Sequence, residues 1–284
     1  MPLSLEAPVK CQRLALVIGH PGHELRVFGL VSEFKPRVYM LTDGSGRHGI
    51  PRTPSSVALI SKLGATRGEL FARMSDADIY RAILEQNFSG FCCMVRELAA
   101  SFLKHNIGWV AGDAAEGFNP THDLCRGLTN AAVLLTERMC GRRIANFEIS
   151  LTEWEQGCPS PLHDHQCMHW TLDDHQLAEK IAAAKQYVEL KNEVERALQQ
   201  RGEGYFRTEC LRRPRAEEPP RYDRSKPAYE TWGEQRVDKG QYQTVIRFKE
   251  HIFPILKAIQ DYAVDATLTH TSFQNEHQAV PGSY

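Results

Sequence analysis

The chain of 284 residues has no excess of either charge: 34 lysines and arginines stand against 35 aspartates and glutamates, a formal net charge of −1. A chain so balanced lacks the basic face that holds nucleic acid or anionic membrane, so neither partner is expected. No apolar run approaches the ~20 residues that cross a bilayer, so no membrane span is expected either. The eight cysteines form no CxxC pair and follow no regular spacing, which suits a reducing compartment. MPLSLEAPVKCQR has no long apolar core of the kind a secretory signal carries. The expectation is a soluble, cytoplasmic protein. No GxGxxG follows the first apolar run and no Walker A sequence occurs, which removes the two commonest phosphate-cradling loops. There is no internal repeat.

What is present is ordinary globular material, 42% hydrophobic and 24% charged. That predicts one large domain, or a domain with an appendage, able to bury its core without staples. Residues 13–19, RLALVIG, are too short for a helix and read as a buried strand. Residues 24–34 carry apolar side chains at helical spacing, and residues 37–41, RVYML, form a second strand. Strand, helix and strand within about thirty residues make a βαβ unit, hence a parallel sheet and an α/β fold. Helical patterns are expected across 56–105, a third strand over 107–111, a helix over 123–139 and a strand over 143–151. One long helix is expected over 173–200, opened by acids at its positive N-terminal end. Residues 212–240 concentrate proline and charge and read as a long exposed loop, before a last helix over 243–262. That loop admits three readings: a solvated segment, a lid, or a contact in a homo-oligomer.

In open parallel sheets, ligands bind outside the carboxyl ends of the strands. Each predicted strand ends in polar residues. The first ends in His20, His23 and Glu24, the second in Thr42, Asp43 and Gly44, the third in Asp113 and Glu116 and then His122 and Asp123. A parallel sheet brings these clusters into one crevice. In GHPGHE, Pro21 and Gly22 turn the chain so that both imidazoles reach one side, a spacing that suits zinc. A catalytic zinc needs a third protein ligand, for which His122, His163, His165 and Asp113 are the candidates. The bland readings are a chance HxxH among 12 histidines and a turn role for Asp43.

GHPGHE, placed after a strand, resembles the (A/G)HPDDE signature of the LmbE-like or PIG-L N-acetylglucosaminyl deacetylases. Leu41-Thr42-Asp43-Gly44 resembles the family's TDG motif. Asn119-Pro120-Thr121-His122, with Ala131 and Ala132 beyond, is similar to its HPDH motif and following helix. Asp173, Lys180 and Tyr187 in residues 170–187, and then the segment from Tyr205 to Glu209, resemble its later helix and closing aromatic-x-x-x-Glu. The likeness runs in one order over residues 11–211. Residues 212–284 lie outside it and are expected as an extension packed on the same domain.

The resemblance implies a Rossmann-like three-layer fold with one zinc ion, and hydrolysis of the acetamide of an N-acetylated amino sugar or glycoconjugate. Carried over by position, its metal ligands fall on His20, His23 and His122. Its general base falls on Gly22, which has no carboxylate. Glu24, Asp43, Asp113, Glu116 and Asp164 are the alternatives, with Asp113 preferred because it ends the third strand near His122. His165 or His163 would stabilise the oxyanion. A second expectation follows from Gly22: a non-hydrolytic relative that binds a sugar or a partner in the same crevice.

Overall fold

In the computed structural model, which describes residues 13–46, 49–151, 167–214 and 226–265, the apolar runs pair side by side. Strands β1 (Arg13–Ile18), β2 (Arg37–Thr42), β3 (Thr66–Met74), β4 (Ile107–Asp113) and β5 (Ala145–Ile149) are parallel. Beyond them lie β6 (Cys167–Thr171) and β7 (Thr208–Arg212), with β7 antiparallel to both β5 and β6. The order across the sheet is β3-β2-β1-β4-β5-β7-β6. The expected mainly parallel α/β architecture is what forms.

The central strands are buried along nearly their whole length because helices cover both faces, the condition under which parallel strands read as continuous apolar runs. The helices are α1 (Phe28–Phe34), α2 (Thr53–Lys62), α3 (Asp76–Leu84), α4 (Phe88–Lys104), α5 (Pro120–Cys140), α6 (Asp174–Gln186), α7 (Lys191–Arg201), α8 (Ala228–Asp238) and α9 (Phe253–Asp265). Side chains alternate across the strand. Ala15 and Val17 of β1 pack with α3, α4, α5 and α9, while Leu14, Leu16 and Ile18 pack with α1 and Ile60 of α2. No helix among the described residues is long and apolar enough to cross a membrane.

Several expected boundaries change, each for a physical reason. The stretch 56–105, expected as helical throughout, contains β3. This edge strand pairs only with β2 and buries only Leu70, so its sequence TRGELFARM shows no apolar run. The helix expected over 173–200 is two helices. Tyr187 is 2% exposed and stands at ψ 88, so burying its ring turns the chain out of the helix before a short 3₁₀ turn. The loop expected over 212–240 includes α8, while residues 215–225 lie outside the described residues. Strands β6 and β7 have five residues each and were not expected.

Successive strands run outward from β1 in one direction through β2 and β3, and from β4 in the other direction to β5. The order therefore reverses between β1 and β4, and the crevice outside their carboxyl ends is where such a sheet binds ligands.

Candidate metal centre

β1 ends at Ile18, and Gly19 carries the chain into that crevice. The Gly19 amide donates to Asp113 Oδ2 (2.7 Å), which ties the end of β1 to the end of β4. His20, His23 and His122 then meet. Their ring centroids are 5.5 Å apart for His20 and His23, 5.2 Å for His20 and His122, and 4.7 Å for His23 and His122. His122 arrives from α5, whose first turn is fixed by Asn119 capping the Thr121 amide (2.8 Å) and by Pro120 at the start of the helix.

Hydrogen bonds set the tautomers. His20 Nδ1 stands 3.1 Å from the Asp76 carboxylate, which can only accept, and 2.8 Å from Thr42 Oγ1, so Nδ1 is the donor. His20 Nε2 therefore carries a lone pair, and it is buried without a partner among the described residues. His23 Nδ1 donates to Asp113 Oδ2 (2.8 Å), which frees its Nε2 in the same way. His122 Nδ1 is likewise buried and unpartnered. Buried polar atoms almost always find partners. Two lone imidazole nitrogens in one cluster form a donor set that fits a metal ion, and imidazole donors suit zinc.

Among the described residues, candidate ligand atoms that all lie within 4.8 Å of one another are found in His23, Asp113 and His122, a group that does not include His20. The ring of His20 stands beside the other two, so the three expected histidines cluster and Asp113 joins two of them. Asp113 is fully buried: its Oδ2 accepts from Gly19 and His23, while its Oδ1 is buried without a partner among the described residues, which leaves it as a candidate ligand atom in the same cluster. Burial alone would raise its carboxyl, but the His23 charge and hydrogen bond, the His122 charge and the Gly19 amide outweigh that and lower it. His122 moves well down, first through burial and then through the charges of its two histidine neighbours, so its imidazole is neutral at pH 7 and free to ligate.

The other expected bases are engaged elsewhere. Asp43 Oδ1 accepts from the Ser45 amide (2.9 Å), the turn role considered for it. Glu116 accepts from Ser150 Oγ and the Leu151 amide. Glu24 is enclosed by the Gly22 amide, Ser56 and Tyr187, and burial raises its carboxyl. His163, Asp164 and His165 lie outside the described residues.

Asp76 was not expected. Its Oδ1 stands 3.1 Å from His20 Nδ1, its Oδ2 accepts from the Gly46 amide (2.7 Å), and its side chain borders the cavity described below. Burial would raise its carboxyl; the hydrogen bond and charge of His20, with Thr42 and Gly46, carry it well below the usual range. The sequence hides Asp76 behind a helix start, since Ser75 and Asp78 form a capping box around it. With β3 unrecognised, nothing marked it as following a strand.

Gly22 is more than a missing carboxylate. It stands at φ 104, and a Cβ placed there would lie 2.5 Å from Leu190 Cδ1. The space beside the imidazoles is filled by a side chain from the turn between α6 and α7. Gly22→Ala is therefore expected to destabilise the protein by about 1–3 kcal/mol, through backbone strain and the clash together. Adding Leu190→Ala should restore only the clash part. Urea unfolding of the two variants separates these contributions, and an unchanged midpoint for Gly22→Ala would show that position 22 tolerates a side chain.

A cavity of about 910 Å3 opens over the imidazoles. One wall, from α6 and α7, is aliphatic and includes Ile181, Leu190, Val194 and Leu198. The lining also includes the aromatic rings of Tyr80, Phe118 and Tyr242 and the cation Arg236.

No family model matches the chain, and no curated protein matches it. Among solved structures, the chain is similar to the deacetylase of the A40926 pseudoaglycone at 18% identity and a TM-score of 0.47, over 73% of this chain and 99% of that one. It is similar to the zinc-inhibited form of a teicoplanin deacetylase at 12% identity and a TM-score of 0.47, over 72% and 100% of the two chains. A third similar structure is a deacetylase of the teicoplanin biosynthesis pathway in complex with bog, at 14% identity and a TM-score of 0.47, over 72% and 100%.

Proposed function

We propose that the protein is a zinc-dependent hydrolase that deacetylates an N-acetylated amino sugar or sugar conjugate, a divergent member of the LmbE-like, PIG-L group. The observation that carries this reading is the three-imidazole cluster with its buried, unpartnered His20 Nε2 and His122 Nδ1 at the floor of a large cavity. In this reading residues 1–211 form the catalytic unit and residues 212–284 an extension of it.

His20, His23 and His122 would hold the ion, and a zinc ion bound there supplies an acidified water and a Lewis acid for the amide carbonyl. Asp113 orients His23 through Nδ1, the outer-shell carboxylate that such ligands require, and returns to the centre the negative charge absent from a histidine ligand. Thr42 orients His20 by accepting from its Nδ1. With Gly22 bare, Asp76 is the carboxylate that both touches His20 and lines the cavity, and in this reading it takes the place of the missing proton acceptor. Leu190 keeps water from the flank that Gly22 leaves open.

The test is metal content of the purified chain followed by hydrolysis of a set of N-acetylated sugars. About one zinc per chain and release of acetate are expected. A folded chain that takes up no zinc at micromolar concentration would sink this reading in favour of a non-hydrolytic sugar-binding relative.

A further inference from the structure

Arg236 of α8 and Tyr242 just beyond it reach the cavity mouth. α8 docks there by donating the Tyr229 amide to Gly117 O (3.2 Å). Gly117 stands at φ 66, and its own amide donates to Asp123 Oδ1 (3.1 Å), so the peptide just ahead of α5 is held from both sides. That hold turns Phe118 outward. Its ring is 44% exposed, meets Trp232 of α8 edge to face at 4.7 Å and 83°, and lies within 19° of parallel to His122. Trp232 is itself 39% exposed. Tyr80 and Tyr242 line the same mouth, and Arg236 of α8 fixes Tyr242 by donating to its hydroxyl (2.5 Å) and covering its ring at 5.2 Å.

Neither an ion nor an acetyl group calls for these rings. Exposed aromatic rings beside a reaction cavity mark a surface that binds something. A pyranose fits the chemistry. The C–H groups on one face of the sugar, polarised by their oxygens, meet the negative face of an aromatic ring. The sugar's hydroxyls need polar partners, and Arg236 lines the same cavity. A purely aliphatic group would lie against the α6–α7 wall and leave the aromatic rings unused.

We propose that Phe118, held in place by Trp232, is the platform on which a pyranose ring of the substrate stacks, so that α8 sets sugar selectivity. This rests on the hydrolase reading for its substrate, but its test also runs without turnover. The probe is methyl N-acetyl-β-glucosaminide, added to the full chain with and without zinc and followed by saturation-transfer NMR. Saturation should concentrate on the ring C–H protons of one face. Phe118→Ala should weaken binding about tenfold, Phe118→Trp should retain it, and Trp232→Ala should fall between them. With zinc, Phe118→Ala should lower kcat/KM for this sugar by a larger factor than that for the acyclic N-acetylethanolamine. Sugar binding equal in the wild-type chain and Phe118→Ala, no sugar binding by the wild-type chain, or an equal loss on both amides would each overturn the platform. Sugar binding that depends on Phe118 in a chain that hydrolyses neither amide would keep the platform and remove the hydrolase reading.

Discussion

His122→Ala is expected to lower kcat/KM for an N-acetylated sugar by roughly a thousandfold or more, because the several kcal/mol a metal centre contributes to the transition state go with its ligand. The same variant should lose most of its zinc affinity while keeping its circular dichroism, since the ring sits at the cavity floor and not in the core between sheet and helices. Asp113→Asn supplies the contrast. It keeps an oxygen for the Gly19 amide and for His23 Nδ1 but removes the charge, so metal affinity should fall about 10–100-fold. A ligand and its positioning partner are thus separable by magnitude. If Asp113→Asn abolished hydrolysis while zinc stayed bound, Asp113 would be the proton acceptor after all. If His122→Ala kept both zinc and turnover, the centre lies elsewhere.

The parts of this centre that were legible in the sequence were those written in short apolar runs. β1, β2 and β4 are buried on both faces, so RLALVI, RVYMLT and IGWVAGD stand out, and the parallel order places GHPGHE, Asp43 and Asp113 at one edge. His122 was reachable because it follows the third strand and because Asn119-Pro120-Thr121-His122 is similar to the HPDH motif. What was not legible depends on contacts between distant segments. β3 is an edge strand with one buried residue, so its sequence resembles a helix surface. The break at Tyr187 depends on its hydroxyl meeting Ser56 Oγ (2.9 Å), 131 residues away. Asp76 reads as a helix-start acid until Gly46 and His20 are seen beside it. Leu190 cannot be connected to Gly22 by any local pattern, because the contact is made by a side chain 168 positions further along.

Lys180 and Glu209, marked in the sequence only by family likeness, turn out to be partners, and they carry the largest expected effect on stability. Glu209 is 2% exposed. It accepts from Lys180 Nζ (2.8 Å) and from the amides of Gly29 (2.9 Å) and Leu30 (3.1 Å), which open α1. One carboxylate from β7 thus satisfies a helix start and neutralises a buried cation from α6. Glu209→Ala leaves the ammonium and both amides without that partner, and should cost about 3–5 kcal/mol in urea unfolding. Lys180→Met should cost less, because the carboxylate keeps its two amide donors. Burial lowers the Lys180 pKa first of all, and Glu209 raises it back only in part. Between that lowered value and the ordinary lysine value the unfolded chain binds more protons than the folded one, so stability rises with pH. Removing Glu209 lowers the folded value further and widens this window. The Glu209→Ala deficit should therefore shrink as pH is raised from 7 towards 10, when Lys180 is buried as the neutral amine. A deficit that stays constant over that range would mean that the carboxylate acts only as the cap of α1, and that the ammonium contributes nothing to the cost.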